Sequence, residues 1–208
     1  MKLIDMTLKD YTQLLASQAP APGGGSTAAL LGAQGAGLTA MVCALTQGRK
    51  KYLEHEPLCA QVREQMLKLT ESFLEVLDRD TEAYQAVSAV FALPKDNDEQ
   101  KTLRKAAMQT ALKACTLPPF EMMELAAQTI ELTGSILGKS NVNAASDLGV
   151  AMLCLKGALQ GAWLNVLINL GGIDDPAFAE DLRSRGQKLL NKSLALADDV
   201  YTQVQNSL

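Results

Sequence analysis

The sequence predicts an all-α fold, a single-domain multi-helix bundle packed around a central apolar helix. Three observations predict it. Hydrophobic residues make up 48% of the chain but aromatic residues only 4%, so the interior must be built from Ala, Leu, Val, Met and Gly, a set that suits close-packed helices better than a β-sandwich. No run alternates apolar and polar residues between turn signals as a strand would. In the longest uninterrupted segment the apolar positions recur at steps of four and three, the period of a helix. A length of 208 residues fits one domain, since domains cluster at roughly 100 to 200 residues.

The elements follow in order. Thr7 and Asp10 form a weak capping box that opens a short helix to about residue 19, which Pro20-Ala21-Pro22 ends. Gly23-Gly24-Gly25 is a permissive loop, and Ser26 stands where it could cap a second helix running to about residue 51. Small residues in the middle of that helix, Gly32 to Gly37, cost helix propensity and imply that another backbone approaches closely. A third helix starts near Pro57 and runs to about residue 93, where Pro94 and a polar run break it. A fourth spans about 98 to 116 and stops at Pro118-Pro119, and a fifth spans about 120 to 135. After a loop from Gly138 to Asn143 a sixth helix runs to Leu170. Gly171-Gly172 ends it, and Asp175-Pro176 caps and opens the last.

Composition excludes several partners and compartments. With 19 Lys+Arg against 23 Asp+Glu the net charge is −4, which leaves no broad basic footprint for nucleic acid. The four cysteines, Cys43, Cys59, Cys115 and Cys154, form no CxxC pair and sit in apolar stretches, as buried free thiols of a cytoplasmic protein do. A single histidine, His55, reads as a turn residue and makes a metal site improbable. Met1 to Asp5 meets an acid before any apolar run of export-signal length. Residues 28–45 and 148–170 are long and apolar enough to suggest membrane spans, but neither has a basic flank together with an aromatic belt. They are expected to be buried central helices, with no membrane partner.

The third helix carries the sharpest chemical signal. Its stripe runs Val62, Met66, Leu69, Phe73, Val76, position 80, Ala83, Val87 and Val90, and position 80 is Asp80. A carboxylate in a slot that the rhythm reserves for a hydrophobe must be hydrogen-bonded, paired or functional. Counting alone leaves a structural anchor and a catalytic group evenly matched. Asp78 and Glu82 lie off the stripe and read as solvated. Pro22, Gly23, Gly24, Gly25 and Ser26 put free N–H groups and a hydroxyl at a helix start, a place that favours an anion or a carbonyl but is also an ordinary interhelical turn. Asn143 and Asp147, four apart, share a helix face or complement the helix dipole. Arg49, Lys50 and Lys51 close the second helix, either as dipole partners or as a hook for an acidic tail.

Taken together, Pro20 to Ser26, Gly48 to Tyr52, Asp80 to Tyr84, and Asn143 to Asp147 with Val150-Ala151 resemble the cyclodeaminase/cyclohydrolase family. That family includes the C-terminal domain of formiminotransferase-cyclodeaminase and free-standing methenyltetrahydrofolate cyclohydrolases. The resemblance spans essentially the whole chain and implies a helical bundle, a homodimer, and a tetrahydrofolate derivative as substrate with no bound cofactor or metal. It implies Asp80 as general acid/base, Asp147 with Asn143 as a secondary charge and orientation element, and Pro22 to Ser26 as pocket wall. Arg49, Lys50 and Lys51 would hold the glutamate tail of a polyglutamylated folate. The 208 residues carry no transferase block, so both reactions stay open, with a separate formiminotransferase as an expected partner. A non-catalytic module that holds folate or docks a partner is the alternative of another class.

Overall fold

The computed structural model describes residues 2–208. Its elements are α1 (Leu8–Leu15), α2 (Gly24–Thr46), α3 (Glu56–Phe91), α4 (Asp98–Ser135), α5 (Ala145–Leu170) and α6 (Pro176–Ser207), with 3-10 turns at Leu3–Asp5, Lys50–His55 and Val142–Ala144. No strand occurs among the described residues, as the composition predicts.

The two most apolar helices, α2 and α5, form an antiparallel pair at the centre. Gly24 lies beside the Asn165 side chain at one end and Gly35 beside Leu155 in the middle. At the other end the Asn141 N–H donates to Thr46 Oγ1 at 2.9 Å. Helix α3 packs on α2, α4 closes over α3 and α5, and α6 covers α4 and α5. Gly32 shows why the middle of α2 needs small residues: a β-carbon there would stand 2.3 Å from the buried Phe73 ring of α3. Both α2 and the segment Val142–Leu170 have the length and composition to cross a membrane, and here each contributes one face to the bundle core.

Four expectations are corrected. Pro118 and Pro119 do not end a helix, because α4 runs through both. Proline lacks the N–H that would bond the carbonyl four residues earlier, but the carbonyl that Pro119 frees, that of Cys115, accepts from Asn169 Nδ2 at 3.0 Å. Helix α2 ends at Thr46 because Gly48 adopts φ 73°, so Arg49, Lys50 and Lys51 lie in the following turn and not on the helix. Gly23 is the N-cap of α2 and Ser26 lies inside it, bonded to Thr81 Oγ1 at 3.1 Å. Asp78 is buried, not solvated: its Oδ1 accepts the Leu3 N–H at 2.9 Å and thereby ties the N-terminal turn to α3. Three of the four free cysteines are buried and Cys154 is half-buried.

Candidate active site

The Asp80 stripe does as its rhythm predicts. Val62, Met66, Leu69, Phe73, Val76, Val87 and Val90 are all buried, so the α3 side facing α2 carries Asp80 to the start of α2. There Gly25 makes room for it. A β-carbon on Gly25 would stand 2.2 Å from Asp80 Oδ2 and 2.5 Å from Oδ1, so glycine alone lets the carboxylate lie against the first turn. The first helical bond of α2 runs from Thr27 N to Gly23 O. The N–H groups of Gly24, Gly25 and Ser26 therefore have no partner in the helical ladder and remain as donors at this wall.

Around this contact the chain encloses a cavity of about 280 Å³. Its walls are the loop at Ala21 and Gly23 to Ser26, Asp80 and Tyr84 from α3, Cys115 from α4, and Asn165 and Asn169 from α5. Pro22 is buried but does not line the cavity. The two asparagines are fixed by main-chain carbonyls. Asn165 Nδ2 donates to Gly161 O at 2.8 Å, and Asn169 Nδ2 to Cys115 O. That leaves each Oδ1 as an acceptor without a protein donor among the described residues.

Burial pushes the Asp80 carboxyl up from 3.8 to about 6, and no cation or donor among the described residues counters it. The group is therefore mostly ionised at neutral pH but takes up a proton far more readily than an ordinary carboxylate, which suits a general acid/base. Tyr11 of α1 stands nearby, buried, its hydroxyl without a close hydrogen bond among the described residues; burial first, with the Asp80 charge adding and the neighbouring Thr27 side chain only partly offsetting it, holds its pKa above the ordinary value. The cavity thus has one ionisable carboxyl, several neutral hydrogen-bonding groups and one apolar wall, a fit for a polar heterocycle that gains or loses a proton. No group of three or more His, Cys, Asp or Glu that could hold a metal occurs among the described residues.

Other predicted residues lie elsewhere. Arg49, Lys50, Lys51 and Asn143 line a separate depression of about 430 Å³, together with Tyr52, Asn141 and Val142. Asp147 sits in the first turn of α5. Asn169 and Asp147 are separated along α5 by roughly 33 Å at 1.5 Å per residue. Within one subunit the structure does not bring Asn143, Asp147 or the basic triplet to Asp80. Conversely, sequence reasoning missed Tyr11, Cys115, Asn165 and Asn169 as neighbours of the site. A signal existed for the asparagines: they are the polar pair, four apart, in the otherwise apolar last turns of α5.

Comparison with known proteins now adds a family to this geometry. The model of the formiminotransferase-cyclodeaminase family matches residues 7–188. The chain belongs to that family. Over 202 residues it is 40% identical to the methenyltetrahydrofolate cyclohydrolase of Methylorubrum extorquens, covering 97% of each chain. It is 30% identical over 191 residues to the formimidoyltransferase-cyclodeaminase of Rattus norvegicus, 92% of this chain and 35% of the relative, so it corresponds to about a third of that longer protein. The crystal structure of formiminotetrahydrofolate cyclodeaminase from Thermotoga maritima superposes with a TM-score of 0.82 at 25% identity, over 100% of this chain and 98% of that one.

Proposed function

We propose that this chain is a folate one-carbon enzyme that works on the carbon held at N5 and N10 of tetrahydrofolate, as a formiminotetrahydrofolate cyclodeaminase. The observation that carries the reading is the Asp80 carboxyl, poised near neutrality in a polar cavity against the start of α2. The family and its relatives' names support the substrate class.

In the cyclodeaminase reaction N10 attacks the carbon of the protonated formimino group on N5, whose C=N electrons pass to its nitrogen and leave it an amino group. Asp80 takes the proton from N10 as the bond forms. It returns a proton to the amino nitrogen of the tetrahedral carbon, and ammonia leaves with the electrons of its C–N bond, giving the methenyl cation. A carboxylate also stabilises that developing cation. Asn165 and Asn169 supply acceptors for ring N–H groups, and the free amides at Gly24 to Ser26 supply donors. None of these steps calls on a metal or a bound cofactor.

The second reading, methenyltetrahydrofolate cyclohydrolase, is favoured by one observation: 40% identity over full length to a protein of that name. Here water attacks the methenyl carbon and Asp80 takes one of its protons; Asp80 passes that proton to N5 as the C–N5 bond breaks, while the carbinol hydroxyl gives up its own proton to the medium and forms the formyl C=O, leaving 10-formyltetrahydrofolate. Purified protein given each folate in parallel tests both. Ammonia release from the formimino substrate supports the first reading, and loss of methenyl absorbance without ammonia the second. Inactivity on both, with folate still bound, would favour a non-catalytic binding module.

Arg49, Lys50 and Lys51 are proposed as contacts for a glutamate tail, and Asn143 with Asp147 as orienting groups. The protein is further proposed to be a cytoplasmic homodimer supplied by a separate formiminotransferase. Light scattering decides the dimer, and a monomeric mass at micromolar concentration overturns it.

A further inference from the structure

Residues 2–21 precede the bundle as a nearly self-contained segment. Among the described residues its hydrogen bonds stay inside it, from the Thr7 cap to the turn at Ser17 and Ala19, with one exception. That exception is the Leu3 N–H, which donates to Asp78 Oδ1 at 2.9 Å. Its charged side chains, Lys2, Asp5, Lys9 and Asp10, form no ion pair among the described residues. Tyr11 is its one buried residue, and even that ring lies outside the contiguous core. On α1, Leu8, Tyr11, Leu14 and Leu15 fall within an arc of about 120° at 100° per residue. Leu8 is nonetheless 74% exposed and Leu15 37%, so the helix carries more apolar surface than its present seat covers.

The seats of this segment are also where buried polar atoms go unsatisfied. Tyr11 Oη and Asp78 Oδ2 are the buried side-chain atoms without a close hydrogen bond among the described residues, although folded proteins pair nearly all such groups. Each orphaned atom makes its seat weaker than its burial implies. The far end of the segment is fixed by the chain itself, since Pro22 is buried and Gly23 caps α2. Just before it, Pro20 and Ala21 wall the Asp80 cavity, so displacing α1 moves one side of the cavity mouth. With the segment seated the cavity holds about 280 Å³, below the roughly 300 to 1,000 Å³ of pockets that enclose ligands of drug size. A folate, with its pteridine, aminobenzoyl and glutamate parts, is a ligand of that size.

We propose that residues 7–21 are a gate to the Asp80 cavity, latched by Tyr11: held between the Leu3 tether and Pro22, the segment lifts to pass folate in and product out, and reseats during the reaction. One buried ring holds a helix that no hydrogen bond of its own joins to the bundle, so opening breaks few contacts and belongs to the low-stability end of the molecule. Closure of such a segment over a site is a common way to admit a ligand and then exclude water. Reseating shields the carboxyl from bulk solvent and strengthens the charge interactions it makes with the reacting carbon. Tyr11 acts only through the position of α1 and exchanges no proton with the substrate, because burial and the nearby Asp80 charge keep its hydroxyl protonated.

The ligand of the gate rests on the folate reading of the Asp80 site, and the motion is tested first without any ligand. An eight-residue helix lifted from its seat does not persist in water, so opening is read as amide hydrogen exchange. In the wild-type protein α1 should exchange as one unit, at least about a hundredfold faster than the middle of α2. Tyr11→Phe keeps the ring and removes the orphaned hydroxyl, so exchange of α1 should slow by about tenfold, whereas Tyr11→Ala removes the latch and should speed it by at least as much. Stopped-flow binding of 5-formyltetrahydrofolate, a reduced folate carrying its carbon on N5, then links the motion to the site. Association should slow in Tyr11→Phe and quicken in Tyr11→Ala, in step with exchange. Circular dichroism checks that the bundle is kept, and Tyr11→Phe decides alone if Tyr11→Ala does not fold. Exchange of α1 as slow as that of α2, two folded variants that shift exchange the same way, or association rates that ignore the latch overturn the gate. If wild type binds no folate the folate reading falls, and the exchange arm then decides the gate by itself.

Discussion

The first turn of α2 touches the Asp80 carboxylate where Gly25 lacks a side chain: a β-carbon would lie 2.2 Å from Oδ2. Gly25→Ala should therefore displace the carboxylate, lowering kcat by roughly tenfold or more while the helices remain, because misplacing a proton-transferring group weakens it steeply. Overpacking should cost about 1 to 3 kcal/mol. The pair must be coupled. In an Asp80→Ala background the same Gly25→Ala change should cost little or even stabilise the helix. Denaturation midpoints of the four proteins check this, and additive effects would mean that the two residues do not share the space.

Asp80→Asn keeps the shape of the side chain and removes its exchangeable proton. Turnover should fall by roughly 10² to 10⁴ with little change in folate affinity. An active but destabilised variant would instead make Asp80 a structural anchor, at a cost of about 1 to 3 kcal/mol. Measuring kcat, folate Kd and the urea midpoint on one preparation separates the two.

The raised pKa of Asp80 also fixes the sign of a pH effect. Its folded value, about 6, lies above the ordinary 3.8. Between those values the folded state binds the proton more tightly than the unfolded state, so this group's relative stabilisation is full below pH 4 and is lost as pH rises through 6. Asp80→Asn lacks that loss. The variant should match or trail wild type near pH 4 and gain on it by on the order of 1 to 3 kcal/mol by pH 7 to 8. A stability difference independent of pH would show that the carboxyl is not desolvated.

Helical period, caps and the rule-breaking carboxylate were legible because each is a local property. The step of four and three puts Asp80 on the core side of α3 whatever packs there, and Asp175 caps α6 as its dipeptide with Pro176 implies. Long-range relations were not. Pro118-Pro119 reads as a stop because the donor that replaces the missing N–H, Asn169, comes from another helix 54 residues away from Cys115. Asp78 reads as solvated because its partner is the backbone of Leu3, 75 residues distant. Blocks adjacent in a motif set, such as Asp80 and Asp147, need not be adjacent in a subunit, since a motif orders residues along the chain and says nothing of which end of a helix they occupy.

The turn after α2 presents Arg49, Lys50 and Lys51, all exposed, without ion pairs among the described residues. If they hold a glutamate tail, neutralising all three should weaken a polyglutamylated folate more than a monoglutamate, and the gap should close as salt is added. Titrating both ligands at low and high ionic strength reads this directly. Equal losses for both ligands would remove the tail from the assignment.

Asn169 serves α4 as well as the cavity, and the two tasks can be separated. Its Nδ2 bonds the Cys115 carbonyl that Pro119 deprives of a helical donor. Asn169→Ala should leave that carbonyl unpaired in a buried stretch, costing about 1 to 3 kcal/mol, and should also remove an acceptor from the cavity wall. Pro119→Ala alone restores a backbone N–H four residues after Cys115, so it should be tolerated and should make the side-chain bond redundant. Combined with Asn169→Ala it should recover most of the lost stability, because the helix then satisfies the carbonyl itself. Activity should not recover with it, since the acceptor at the cavity stays missing. If the double variant regains both stability and turnover, Asn169 acts only through the shape of α4. If it regains neither, the Cys115 carbonyl is not what Asn169 supports.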